Sequence, residues 1–275
     1  MRSAAALISA LALCCGTAAC GTERAAQPTR TMANTPPTAP TPVPLQAPSA
    51  DAAAPLDATP PPPPPDPGRA NLDPEDDEVV GPPTPIADCE ARLAQAGVSF
   101  KAAKLPLRTQ PSGAQCGAEQ VVIYEAGPAA IAWNVRPTVT CQMALGLSRF
   151  ESILQEEAKA VLGSEVKRIN QGGTYSCRKM ARFALRSEHS YANAIDIYGV
   201  VLADGRTVTV KRHFGSLKEE PEAAESRFLR KVARRAFAED VFSVVLTPFW
   251  DKLHHDHFHV DQARYRVNAT SARAD

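Results

Sequence analysis

"NAIDIYGVVLADGRTVTVKRHF", residues 193–214, decides how the rest of the chain is read. A β-branched and apolar run leads to Asp204 and Gly205, which supply a tight turn, and a second β-branched run follows, so the stretch is a β-hairpin. Side chains alternate faces along a strand. Ile195 and Ile197 therefore point into a core, and Asp196 lies on the opposite face.

Elements of both kinds surround the hairpin. Upstream, Asp88 is placed to cap a short helix running through Ala96 and stopped by Gly97. "EQVVIYEAG" (119–127), "AAIAWNV" (129–135) and "EVKRI" (165–169) read as strands. The strongest helix follows Pro137, with Met143, Leu147, Phe150, Leu154, Ala158 and Val161 at helical spacing and Gly163 at its end. Downstream, residues 222–238 form a helix with Ala224, Phe228, Val232 and Ala236 on one face; "VFSVVL" (241–246) and "DHFHVD" (256–261) are strands. Hairpin-linked strands and segregated helices predict an α+β domain over 86–275, a small antiparallel sheet with helices packed on one side. There is no internal repeat and no nucleotide-binding glycine loop.

The first 85 residues have a different character. Arg2 precedes an apolar, Ala-rich run over 4–19, which reads as a secretory signal peptide. "TAAC" at 17–20 resembles a bacterial lipobox, with Cys20 the lipidated residue; the alternative is ordinary cleavage near Ala19. Gly21 after that cysteine favours the outer membrane over the inner in a cell that has two. Residues 20–85 hold most of the chain's 25 prolines, including the run 60–65, and almost no aromatic residues. Such a segment buries too little apolar surface to offset the entropy of ordering, so it is expected to be a disordered tether. Fully extended as polyproline II it would reach on the order of 200 Å. The whole predicts a periplasmic lipoprotein joined to the membrane through its lipid. With 30 basic and 30 acidic residues and no basic face, nothing calls for nucleic acid.

Without Cys14, Cys15 and Cys20, four cysteines remain: Cys89, Cys116, Cys141 and Cys177. In an exported domain lacking any CxxC spacing these imply two disulfides, with three possible pairings. Pairing of neighbours in sequence, Cys89 with Cys116 and Cys141 with Cys177, is the expectation.

The chemistry gathers in two segments. "HHDHFHVD" (254–261) holds four of the six histidines, and "SEHSYANAIDI" (187–197) holds His189 and Asp196. Read as one strand, the first segment puts His255, His257 and His259 on one face and sends Phe258 and Val260 into the core. His189, on the approach loop, can fold back beside Asp196. His189, Asp196 and either His257 or His259 then form a three-ligand N/O set with a fourth position for water, the pattern of catalytic rather than structural zinc. The competing reading is a surface His-x-His pair beside an ordinary hydrogen-bonded carboxylate. His213 reads as an ordinary sheet residue. His254 is either a supporting group or merely exposed, Tyr191 and Trp250 are packing or cleft-lining aromatics, and Ser187 is a turn residue because no GxSxG surrounds it.

S-x-H-x-x-[small]-x-A-x-D followed by H-x-H resembles the D-Ala-D-Ala metallopeptidase, lysostaphin and hedgehog superfamily of zinc folds. More closely, "YSCR" (175–178), "SEHSYANAIDI", "DVFSVVLTP" (240–248) and "HHDHFHVD" resemble the bacterial extensin-like C-terminal domain family, over roughly 89–266. The resemblance implies that His189, Asp196 and His259 hold Zn2+, that His257 assists catalysis, and that Arg178 contacts a substrate carbonyl or carboxylate. It implies a peptidase acting on peptidoglycan stem peptides or cross-links; the alternative is a non-catalytic, zinc-stabilised cell-wall binding or adhesion domain. Two positions depart from the wider pattern. Ala192 stands where glycine is usual, which implies a somewhat different turn, and the E-x-x-H general base has no match, since 256 is Asp and 253 is Leu.

Overall fold

In the computed structural model, which describes residues 81–181 and 185–272, the hairpin read from 193–214 lies at the centre of the larger of two sheets. The leader, Cys20 and the tether up to residue 80 lie outside the described residues. In chain order the elements are α1 (Cys89–Gln95), β1 (Ser99–Thr109), β2 (Gln115–Ala126), β3 (Ala132–Trp133), β4 (Thr138–Thr140) and α2 (Cys141–Glu157), which a π-helical turn extends over Ala158–Leu162. Then come β5 (Val166–Gly173), a 3₁₀ turn (Glu188–Tyr191), β6 (Ala194–Leu202), β7 (Thr207–Thr209), α3 (Val210–His213) and α4 (Ala224–Ala238). The chain ends with β8 (Val244–Leu246), a 3₁₀ turn (Lys252–His254), β9 (Phe258–Asp261) and β10 (Val267–Ala269).

The fold is α+β, but with two sheets where one small antiparallel sheet was expected. The smaller, β1-β2-β4, is antiparallel throughout. The larger has the order β10-β8-β9-β6-β5-β3, with β7 also on β6, and is mixed because β10–β8 and β3–β5 run parallel.

Alternation along β6 organises the interior. Ile195, Ile197, Val200 and Leu202 join Phe258 and Val260 of β9 in one core with Met143, Leu147, Phe150 and Leu154 of α2 and Phe228, Val232 and Ala236 of α4. The helices thus cover one face of these strands, as expected, and the other face is left to Asp196, Tyr198 and His259. One edge of β6 is shared: β9 pairs with its first half and β7 with its second. Gly199 sits at the changeover with φ +152, and a Cβ there would lie 2.2 Å from the Val208 carbonyl oxygen. Only glycine fits so close a backbone approach.

Local expectations fail where a polar side chain does something other than its residue type suggests. Asp88 has left-handed backbone (φ 54) and makes no side-chain cap bond. α2, by contrast, begins at Thr140, whose hydroxyl accepts from Met143 N–H at 3.3 Å. His213 is not in a sheet; it ends α3, and its Nδ1 accepts from Thr209 N–H at 3.0 Å.

The disulfides join Cys89 to Cys141 and Cys116 to Cys177, so the expected pairing of sequence neighbours is wrong although all four cysteines are used. The reason is the β1–β2 hairpin. β1 has 11 residues and spans about 35 Å, and Cys116 pairs across from Arg108 at its far end. Cys116 is therefore carried away from α1, while Cys89 meets the first residue of α2.

Candidate metal centre

The site is assembled by strand register. β6 and β9 are antiparallel with Asp196 directly opposite His259, so two residues far apart in sequence share one cross-strand pair on the face turned away from the helices. His189 arrives from the 3₁₀ turn just before β6. Ser187 starts that turn by accepting from His189 N–H, the role its residue type suggested. Asn193 then fixes the turn to the rest of the fold. Its amide donates to Glu188 Oε2 at 2.7 Å and to the Gln262 carbonyl at 2.9 Å, and its oxygen accepts from the Thr140 hydroxyl at 2.7 Å.

Ala192 ends the turn with φ 54 and ψ 29, the left-handed conformation a glycine would take. The methyl is buried against Ala118 and Val121, and that packing offsets a left-handed cost of about 1–2 kcal/mol for an L-residue.

Three donor atoms converge. His189 Nε2 lies 3.1 Å from His259 Nδ1 and 3.2 Å from Asp196 Oδ1, and the third side of the triangle is 3.2 Å. A tetrahedral zinc ion with ligands at about 2.0–2.1 Å separates them by about 3.3 Å. A single proton on His189 Nε2 can serve only one of the two atoms it faces, whereas one cation serves all three, so this donor set fits zinc. Burial opposes ionisation of Asp196, yet hydrogen bonds with His189 and His259 hold its carboxyl well below the usual range. Burial also works against a charged His259, but Asp196 and Asp261 on its two ring nitrogens push it up to about 9 in the metal-free protein.

His257 stands beside this triangle. Its Nε2 is 3.6 Å from Asp196 Oδ1, its Nδ1 is 2.9 Å from Asp256 Oδ1, and the Tyr198 ring meets its edge at 5.7 Å. His255 does not share its face. Asp251 caps the turn Lys252–His254 through the amides of Leu253 and His254, which delays the strand until Phe258 and leaves His255 exposed in a turn. His254 is a supporting group: its Nδ1 lies 2.7 Å from Asp251 Oδ1, and its ring packs 5.2 Å from that of His257 and 6.0 Å from that of His259.

Arg178 is brought close in the backbone. Its N–H donates to the Ser190 hydroxyl and its carbonyl accepts from that hydroxyl at 2.8 Å, which ties it to the residue after His189. Its side chain is exposed, and among the described residues no hydrogen bond or ion pair joins the guanidinium to His189, Asp196 or His259. Tyr191 is buried and Trp250 packs beside Val244, Ala263 and Val267, so both are packing aromatics.

Sequence reasoning missed Asp261 and the part played by Asp256. Asp261 Oδ2 lies 2.9 Å from His259 Nε2, and its Oδ1 accepts from Ala263 N–H at 3.0 Å. Next to it, burial and the Asp261 charge push Glu188 up to about 8. A signal was present: Asp251, Asp256 and Asp261 recur at intervals of five through the histidine segment.

Fold and site define an α+β domain that carries a histidine–aspartate cluster on the open face of its larger sheet. The family model for the extensin-like protein C-terminus matches residues 87–271, and the chain belongs to that family. Neither a curated protein nor a solved structure matches it.

Proposed function

We propose that the domain is a zinc-dependent peptidase acting on peptidoglycan stem peptides or their cross-links, held to the cell envelope by a lipid on Cys20 and the proline-rich tether. The observation that carries this reading is the near-equilateral triangle of His189 Nε2, Asp196 Oδ1 and His259 Nδ1, with a third imidazole, that of His257, at its side. Zinc there would supply Lewis acidity, activating a water as nucleophile and polarising the scissile carbonyl. His257 takes the proton of that water at Nε2 and returns it to the leaving amine. Arg178, exposed on a segment tied to Ser190, offers its guanidinium to a substrate carbonyl or terminal carboxylate.

Ligands and proton-transfer groups fail differently, and that contrast is the test. Purified protein is expected to hold one zinc per chain by elemental analysis, lost in His189→Ala, Asp196→Ala and His259→Ala but kept in His257→Ala and Arg178→Ala. On purified sacculi the protein should cleave stem peptides or cross-links, read from the muropeptides that a muramidase then releases, about 10²–10⁴-fold more slowly with His257→Ala. Arg178→Lys should recover part of what Arg178→Ala loses, since it restores charge without the planar fork. If the wild type holds zinc but is as inert as His257→Ala on sacculi and on cross-linked peptides, the domain is a zinc-stabilised cell-wall binding module.

A further inference from the structure

The two histidines of His-x-His, His257 partly buried and His259 buried, meet their carboxylates through opposite ring nitrogens. Asp261 lies 2.9 Å from Nε2 of His259, and Asp256 lies 2.9 Å from Nδ1 of His257. A neutral imidazole carries one proton, and the nitrogen that donates it leaves the other with its lone pair. His259 donating at Nε2 turns Nδ1 to His189 and Asp196; His257 donating at Nδ1 leaves Nε2 as the atom that faces Asp196.

We propose that Asp256 and Asp261 are positioning residues that lock the two imidazoles into opposite tautomers, so that His259 can only be a metal ligand through Nδ1 and His257 can only accept a proton at Nε2. This assignment rests on the metal reading above. It also accounts for the lack of an E-x-x-H glutamate, since the carboxylate at 256 works through the adjacent imidazole.

The surroundings make the two carboxylates unequal in a useful way. Asp261 is buried, and its other oxygen is committed to Ala263 N–H. Asp261→Asn keeps the shape and must keep its carbonyl on Ala263 N–H, which turns its NH2 towards His259 Nε2. That nitrogen then has to be the acceptor, the proton moves to Nδ1, and the ligand atom is blocked. Asp256 is partly exposed and has no such second duty to a backbone amide among the described residues. Asp256→Ala therefore removes the partner of His257 with little risk to folding.

The experiment uses the zinc-loaded domain with its histidines labelled by ¹⁵N, and reads both tautomers by NMR together with zinc affinity by chelator competition. The wild type should show His259 protonated at Nε2 and His257 at Nδ1. Asp261→Asn should weaken zinc binding about 10–100-fold and leave His257 unchanged. Asp256→Ala should bind zinc as the wild type does, shift His257 towards the Nε2–H form, and lower kcat at least tenfold with little change in KM. Wild-type protein that retains no zinc would overturn the metal reading and this assignment with it. Wild type that holds zinc with both histidines in the same tautomer overturns the assignment alone, as does an Asp261→Asn variant of unchanged zinc affinity.

Discussion

Glu151 lies fully buried in α2, away from the site, and takes hydrogen bonds from Trp133 Nε1–H at 2.9 Å and from Gly127 N–H at 3.2 Å. Burial outweighs those bonds and pushes its carboxyl up to about 7. The folded state thus holds a proton that the unfolded chain releases near pH 4.5, so the group's contribution is complete below that value. It is lost as pH rises through about 7, a change of about 3 kcal/mol at roughly 1.4 per unit. Denaturant titrations between pH 4 and 8 should show Glu151→Gln removing that part of the slope. The variant should also be less stable at pH 4 by about 1–3 kcal/mol, because one amide oxygen cannot serve both donors. A wild-type slope unchanged in the variant would assign the effect to another carboxyl. Nothing in the sequence separates Glu151 from the exposed Glu156 of the same helix; only its burial beside Trp133 and Gly127 does.

At the scale of elements, the hydroxyl that caps α2 also ties that helix to the site. Thr140 Oγ1 accepts from Met143 N–H and donates to Asn193 Oδ1, which in turn steadies the turn carrying His189. Thr140→Val keeps the volume and removes both bonds, so the urea midpoint should fall by an amount worth about 2 kcal/mol, with an unchanged m-value. Most elements were readable because their apolar periodicity was clean, as in α2, α4 and β6. β1 was not, since Lys101, Lys104, Pro106 and Arg108 interrupt the alternation of a largely exposed edge strand. The three-residue β4 and β10 carry too little pattern to be seen. His189, Asp196 and the histidine pair were readable from type and spacing. That Asp196 faces His259, and that each imidazole has its own aspartate, depends on register between strands distant in sequence.

Across the whole molecule the two disulfides do unlike work. The bridge from Cys89 to Cys141 joins α1 to α2 within the core, and the bridge from Cys116 to Cys177 holds β2 to the residue before Arg178. They close spans of 52 and 61 residues, so removing either should cost about 4 kcal/mol by loop entropy. Their effect on the metal should differ. Cys116→Ser with Cys177→Ser frees the segment leading to His189 and should weaken zinc binding, whereas Cys89→Ser with Cys141→Ser should lower the melting temperature and leave zinc affinity near that of the wild type. Equal zinc affinities in the two double variants would contradict this division.

The two bridges also interlock, each having one cysteine inside the span closed by the other. A chain threaded through a membrane amino end first delivers its thiols in the order 89, 116, 141, 177. An oxidase that joins thiols as they emerge would link Cys89 to Cys116 before Cys141 had crossed, and the native arrangement would then be reached only by thiol–disulfide exchange. Correct maturation of this domain should therefore depend on a disulfide isomerase. In a host that lacks one, secreted protein should accumulate with Cys89 joined to Cys116, a species that peptide mapping under non-reducing conditions distinguishes directly from the native form.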